Sequence, residues 1–226
     1  MTGTPEDWPP EDWTAEDWTA DLDGVVTSMD EVRSVIGAPF APAVSKVLDH
    51  VDEIAAAFIA RSPFMLMATV GADGACTVSP KGDPAGFVRV LDRHRLAIPD
   101  RPGNRRLDSF GNILENPQVG LLFMVPTRPD TLRVSGEARM VRDAALRESM
   151  AVNRRAPEFV TVIRVRRVYI HCPKCMIRAR LWDPEGWADV GDLTGFGDAM
   201  AAHARTGMNA EEMERKAAAE GVLELY

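Results

Sequence analysis

Nine consecutive residues, Ile98-Pro99-Asp100-Arg101-Pro102-Gly103-Asn104-Arg105-Arg106, concentrate the side chains that bind anions. The pattern reads as the end of a strand, a Pro/Gly turn and the start of a helix. A helix N-terminus offers unpaired N–H groups and the positive end of the peptide dipoles. Arg101, Arg105 and Arg106 add forked donors that match phosphate oxygens, and Asn104 is placed to cap the helix. The segment is therefore a candidate phosphate-binding corner; a surface loop with solvated arginines is the alternative. A second cluster is Ser79-Pro80-Lys81-Gly82-Asp83-Pro84. Lys81 ends a strand that a simple meander would place beside 95–99, within reach of the same anion. A lysine guarding an exposed sheet edge is the competing reading.

A third cluster runs from Val168 to Trp182 and contains His171, Cys172, Cys175, Arg178 and Arg180. The Cys-x-x-Cys spacing invites a metal or redox reading. Structural zinc needs four ligands, and the third thiol, Cys76, is remote in sequence. A redox pair of this type belongs in a βαβ setting that this chain lacks. No metal is expected. His171 is the candidate catalytic side chain, because an imidazole stacks, donates and titrates near neutrality. No nucleophile–base pair is recognisable, so the chemistry is expected to come from a cofactor.

These residues need a scaffold, and the apolar pattern supplies one. Val44, Val47, Leu48, Val51, Ile54, Phe58 and Ile59 recur at helical spacing and predict a helix over 44–60. Beyond it the pattern turns to strands. Residues 64–70 and 75–81 flank Gly71-Ala72-Asp73-Gly74, a hairpin signal, and Pro80 requires a position without a ladder hydrogen bond. Further strands are predicted at 87–91, 95–99, 119–125, 131–141 and 159–170. Helices are predicted at 104–115, 143–151 with Asp143 as cap, and 209–223 behind an Asn209/Glu212 capping box. Six to seven antiparallel strands with flanking helices make a mainly β, barrel-type fold.

Three domain segments are expected: an acidic, disordered arm over 1–23, a barrel domain over 24–184, and a C-terminal extension over 185–226. Glu-Asp-Trp recurs in the arm at 6–8, 11–13 and 16–18, a period that fits neither helix nor strand. The tryptophans could serve a protein partner, although a solvated tail is the simpler reading. The formal net charge of −8 disfavours nucleic acid, while local arginine clusters favour a small anion. No apolar run reaches bilayer length, the N-terminus lacks a secretory pattern, and three cysteines make no disulfide framework. A cytoplasmic protein with no membrane partner is expected.

The runs SPFMLMATVGADGACTVSPKGDPAGFVRVLD (62–92) and LAIPDRPGNRRLDSFGNILENPQVGLLFMVP (96–126), with TLRVSGEARM (131–140) and HCPKCMIRARLWDP (171–184), resemble the pyridoxamine 5'-phosphate oxidase-like FMN-binding split barrels. The likeness covers roughly 30–184 and is nearest to a bacterial subfamily grouped as FMN-dependent enzymes. It implies a homodimer with FMN at the subunit interface and an FMN-dependent oxidoreductase passing hydride through flavin N5, with NADH or NADPH as a candidate donor. By the same resemblance Ser79 lines the site, Lys81 contacts the phosphate or ring edge, and Ile98, Pro99, Asp100 and Arg101 pass beside the flavin. Asn104, Arg105 and Arg106 hold the phosphate. His171, Arg178, Arg180 and Trp182 close the pocket from the other subunit. The oxidase's own C-terminal substrate motif is missing, so its vitamin substrate is not expected. The alternatives are a flavin carrier or redox sensor without turnover, or a barrel holding haem or a deazaflavin.

Overall fold

A computed structural model describes residue 19 and residues 22–226. The Glu-Asp-Trp repeats expected to form an acidic arm lie outside the described residues. The chain divides into two units, one up to Ser45 and one from Lys46 to Tyr226. In the first, α1 (Met29–Ile36) opens at Ser28, whose side chain accepts from Glu31 N–H at 3.2 Å, and stops at Gly37 with φ +84°. A short α2 covers Ala41–Ser45.

The second unit carries the sheet. The expected helix over 44–60 is shorter: α3 spans Glu53–Ile59. Asp52 starts it by accepting the Ala55 N–H at 2.8 Å. Just upstream, Leu48 exchanges two backbone bonds with Val168, at 3.0 and 2.9 Å. Leu48 therefore follows helical spacing but serves a bridge to the sheet. Leu48 packs against the core from there, and Val51 is buried within it.

Seven strands follow among the described residues: β1 (Phe64–Val70), β2 (Cys76–Gly82), β3 (Arg89–Asp92), β4 (Arg95–Pro99), β5 (Gln118–Met124), β6 (Thr131–Val141) and β7 (Val160–His171). They form one antiparallel sheet in the order β2-β1-β5-β6-β7-β4-β3. This is the mainly β split-barrel architecture. The β1–β2 hairpin turns at Gly71–Gly74, with Gly74 at φ +83°. β2 is an edge strand, which accommodates Pro80 without a lost ladder bond. The meander that would set β2 beside β4 does not form: β2 pairs only with β1, while β4 pairs with β3 and β7.

One face of the sheet buries Met65, Met67, Leu121, Phe123, Leu132, Val134, Ile163, Val165 and Val168 against α3. Each fully buried side chain of this size contributes about 1.5–3 kcal/mol relative to exposure. β6 and β7 form the longest ladder, with a register shift between Ser135 and Gly136. A Cβ at Gly136 would stand 2.1 Å from the Arg164 carbonyl, so only glycine fits this close approach.

The remaining helices are α4 (Asp108–Glu115), α5 (Ala144–Ser149), α6 (Lys174–Arg178), α7 (Phe196–His203) and α8 (Ala210–Ala219). Asp143 caps α5, and the Asn209/Glu212 capping box opens α8. α7 was not legible in the sequence pattern; it packs against α8. No described helix is long and apolar enough to cross a membrane.

Candidate functional site

The alternation of β2 turns Thr77, Ser79 and Lys81 inward and leaves Cys76, Val78, Pro80 and Gly82 exposed. Because β2 has a free edge, that edge forms a wall. Opposite it runs the segment from Pro99 to Phe110, which leaves β4 and enters α4. Between them lies a groove of about 850 Å³, with Phe87, Glu158 and Gly221 completing its lining. Ser79, Lys81, Pro99, Asp100, Arg101, Asn104, Arg105 and Arg106 all line this one groove. Ile98 does not. Its side chain is 2% exposed and belongs to the core.

The turn differs from the expected helix start. α4 begins at Asp108, and its N-cap residue Leu107 has φ +60° and makes no side-chain cap. Asn104 is not the cap; its side-chain oxygen accepts the Arg106 N–H at 3.0 Å and folds the turn locally. Arg105 is also left-handed, at φ +59°. Such non-glycine conformations cost on the order of 1 kcal/mol each and gather at functional sites. Arg106 is exposed and pairs with Asp108 at 2.9 Å. Arg105 donates to the Glu220 carbonyl at 2.8 Å.

Arg101 has a different task from the one read in the sequence. Its Nε donates to Asp83 at 2.6 Å and Nη2 donates to the Met150 carbonyl at 3.1 Å. The Asp83 side chain is 1% exposed, so the pair is a buried tie between the end of β2 and the end of β4. Tyr226 donates its hydroxyl to the other Asp83 oxygen at 2.7 Å. The tie closes the distance that the missing β2–β4 ladder leaves open. Lys81, by contrast, makes no hydrogen bond or ion pair, and its ammonium acts on half-buried Asp100 through space. Burial pushes the Asp100 carboxyl above the ordinary carboxylate range, and the charges of Lys81 and Arg101 partly offset that.

Sequence reasoning missed a second brace. Thr69 and Thr77 face each other across the hairpin with their hydroxyls 2.9 Å apart. Asn112 of α4 donates to both, at 3.0 and 3.1 Å. This triad locks α4 to β1 and β2 and so fixes the width of the groove. The signal was available: the Asp73-Gly74 turn sets the register that makes the two threonines partners.

The third cluster lies elsewhere. His171 ends β7, opposite Thr131, whereas Pro99 pairs with Val160 at the start of β7. Eleven residues of strand separate the two positions, about 35 Å at a strand's rise. His171 lines a shallower depression of about 560 Å³ with Lys46, Arg128, Asp130 and Cys172. Burial, then the charges of Arg133 and Lys46, hold its imidazole below its ordinary value. Arg178 ends α6 and is exposed; Arg180 pairs with Asp183 at 2.6 Å; Trp182 donates to the Arg128 carbonyl at 2.8 Å. None of these four lines the groove of the same chain. Cys76, Cys172 and Cys175 are free and exposed. Among the described residues no three His, Cys, Asp or Glu side chains are grouped to hold a metal ion.

The model of the pyridoxamine 5'-phosphate oxidase family matches residues 51–172, more than half of the chain. No curated protein matches. Among solved structures, HupZ of Group A Streptococcus is 21% identical, with 53% of this chain and 93% of that chain covered and a TM-score of 0.44. An FMN-binding protein from Syntrophomonas wolfei is 9% identical, covering 51% and 81%, with a TM-score of 0.40. HutZ, the heme storage protein from Vibrio cholerae, is 15% identical, covering 59% and 95%, with a TM-score of 0.36.

Proposed function

Because the chain belongs to the pyridoxamine 5'-phosphate oxidase family, we propose that it is an FMN-dependent oxidoreductase acting on a small molecule. The observation that carries this reading is the convergence of Lys81 and the 104–106 turn on one groove. Several properties of that groove suit FMN. Its volume falls in the range of about 300–1,000 Å³ usual for ligand sites. Lys81 is free of competing bonds, Arg106 is exposed, and Arg105 gives only one bond to a neutral carbonyl. Pro80, Phe87 and Pro99 supply apolar surface beside them.

Lys81, Asn104, Arg105 and Arg106 would hold the phosphate, and Ser79 and Pro99 would border the ring. When bound, the flavin supplies a hydride acceptor at N5. The chain's own residues orient it and surround it with positive charge. Asp100 is the exception in an anion-binding wall, and the charges of Lys81 and Arg101 beside it partly offset its own. Arg101 acts indirectly, by holding Asp83 and thereby the two walls.

A homodimer belongs to the same proposal. Within one chain His171, Arg178, Arg180 and Trp182 cannot reach the groove, so they contribute only from a second copy. His171 would then be the catalytic candidate facing the ring.

The test is the visible spectrum of the purified chain, before and after mixing with NADH and NADPH with and without oxygen. Flavin bands that bleach with nicotinamide and return in air are expected. Flavin bands that never bleach would leave a flavin-binding protein without this turnover. A Soret band with no flavin uptake would replace FMN by haem. A colourless protein that takes up no FMN would end the proposal.

A further inference from the structure

The segment 220–226, which leaves α8, runs along the rim of the groove and is fastened there by three arginines that reach it from the barrel. Arg105 donates to the Glu220 carbonyl at 2.8 Å. Gly221, at φ +67°, lines the groove itself. Arg155 donates to the Glu224 carboxylate at 3.0 Å and to the Tyr226 carbonyl. The Arg101 guanidinium lies 5.8 Å from the centre of the Tyr226 ring. The Tyr226 hydroxyl ends the strap on buried Asp83. That bond raises the phenol's affinity for its proton, so it remains a donor at neutral pH.

We propose that residues 220–226 form a strap that competes with anionic ligands for the groove, with Tyr226 as its latch on the Asp83–Arg101 pair. The proposal rests on the groove being a phosphate-monoester site, the reading given above. A neutral carbonyl is a weaker partner for guanidinium than a phosphate, which accepts charge-assisted, paired bonds. A phosphate monoester that engages Arg105 therefore takes it from Glu220 and removes one of the strap's fastenings. The groove is then in exchange between a strapped form and a ligand-bound form, and the latch sets the balance. Loosening the latch raises the fraction of competent groove and so the apparent affinity.

The chain has two tyrosines, Tyr169 and Tyr226. Ring-13C tyrosine labelling thus gives two signals, and that of Tyr226 is the one missing in Tyr226→Phe. Inorganic phosphate, then FMN, would be titrated into the full-length chain while binding is followed by calorimetry. The Tyr226 signal is expected to move toward that of free tyrosine as the groove fills, with Tyr169 unmoved. Tyr226→Phe, which removes only the hydroxyl that bonds Asp83, is expected to bind FMN about tenfold to a hundredfold more tightly, the value of one hydrogen bond to a charged group. FMN binding with a stationary Tyr226 signal and an unchanged affinity in Tyr226→Phe would overturn the strap and leave the flavin reading intact. Phosphate binding that moves Tyr226 in a protein that refuses FMN would support the strap and end the flavin reading. A groove that binds neither would end both.

Discussion

The two ends of β7 are built differently. At its start, beside Pro99, side chains are committed: Asp83 and Arg101 form a buried pair, and Thr69, Thr77 and Asn112 share one hydrogen-bonded brace. At its end, around His171, the contacts are more open: Arg180 and Asp183 pair at the surface, and exposed Arg128 pairs with half-buried Asp130. Rigid walls position a ligand, whereas an open, solvated ledge is suited to meeting a second surface. The contrast fits the proposed dimer, in which one strand serves a groove in its own chain at one end and a groove in another copy at the other.

The sharpest way to break this comparison is to remove one ion pair from each end. Arg101→Ala strands a buried carboxylate and is expected to cost about 3–5 kcal/mol in urea unfolding. Arg128→Ala removes an exposed guanidinium and should shift the same unfolding midpoint far less. Equal losses would mean that the groove end is no more rigid than the far end.

Complementation tests whether the two ends meet in one site. The double variant Arg105→Ala/Arg106→Ala and the single variant His171→Ala should each bind FMN at least about tenfold more weakly, by loss of charge-assisted or ring contacts. Refolded together in equal amounts, they should regain about a quarter of the wild-type sites, because half the dimers are mixed and each holds one intact site. Wild-type binding by His171→Ala alone would confine the site to one chain.

The smallest effect has opposite sign at the two ends. Asp100 titrates above its ordinary value when folded, so stability is lost as pH rises out of the usual carboxylate range. His171 titrates below its ordinary value, so stability is lost as pH falls through about 6.5. Asp100→Asn should raise the melting midpoint at neutral pH but not near pH 3, and His171→Gln should do so near pH 5.5 but not near pH 8. Both midpoints are read by a thermal scan across pH. A shift of the same sign at every pH would show that packing, not titration, governs these positions.

Much of the scaffold was legible because period-2 alternation and turn chemistry are local. The β1–β2 hairpin, the long β6, the α5 cap at Asp143 and the capping box at Asn209 all follow from residues within a few positions of one another. The helix expected over 44–60 failed for the opposite reason. Leu48 meets Val168, more than a hundred residues away, and no local pattern distinguishes that bridge from a helix turn. The start of α4 was misplaced because Arg105 and Leu107 adopt left-handed backbone, which side-chain type alone does not signal.

The candidate site divides in the same way. Sequence by itself determined the gathering of arginines at 101–106, the placing of Ser79 and Lys81 on the returning strand of a hairpin, and the resemblance to a split-barrel family. Tertiary structure decided which of those charges are available. It committed Arg101 to Asp83, left Lys81 unbonded, buried Ile98, and set His171 about 35 Å along β7 from Pro99. Charge and periodicity belong to the residues themselves and survive in any chain that carries them. Partnership depends on which distant segments the closing sheet brings within hydrogen-bond reach, and that is fixed only when the whole core packs.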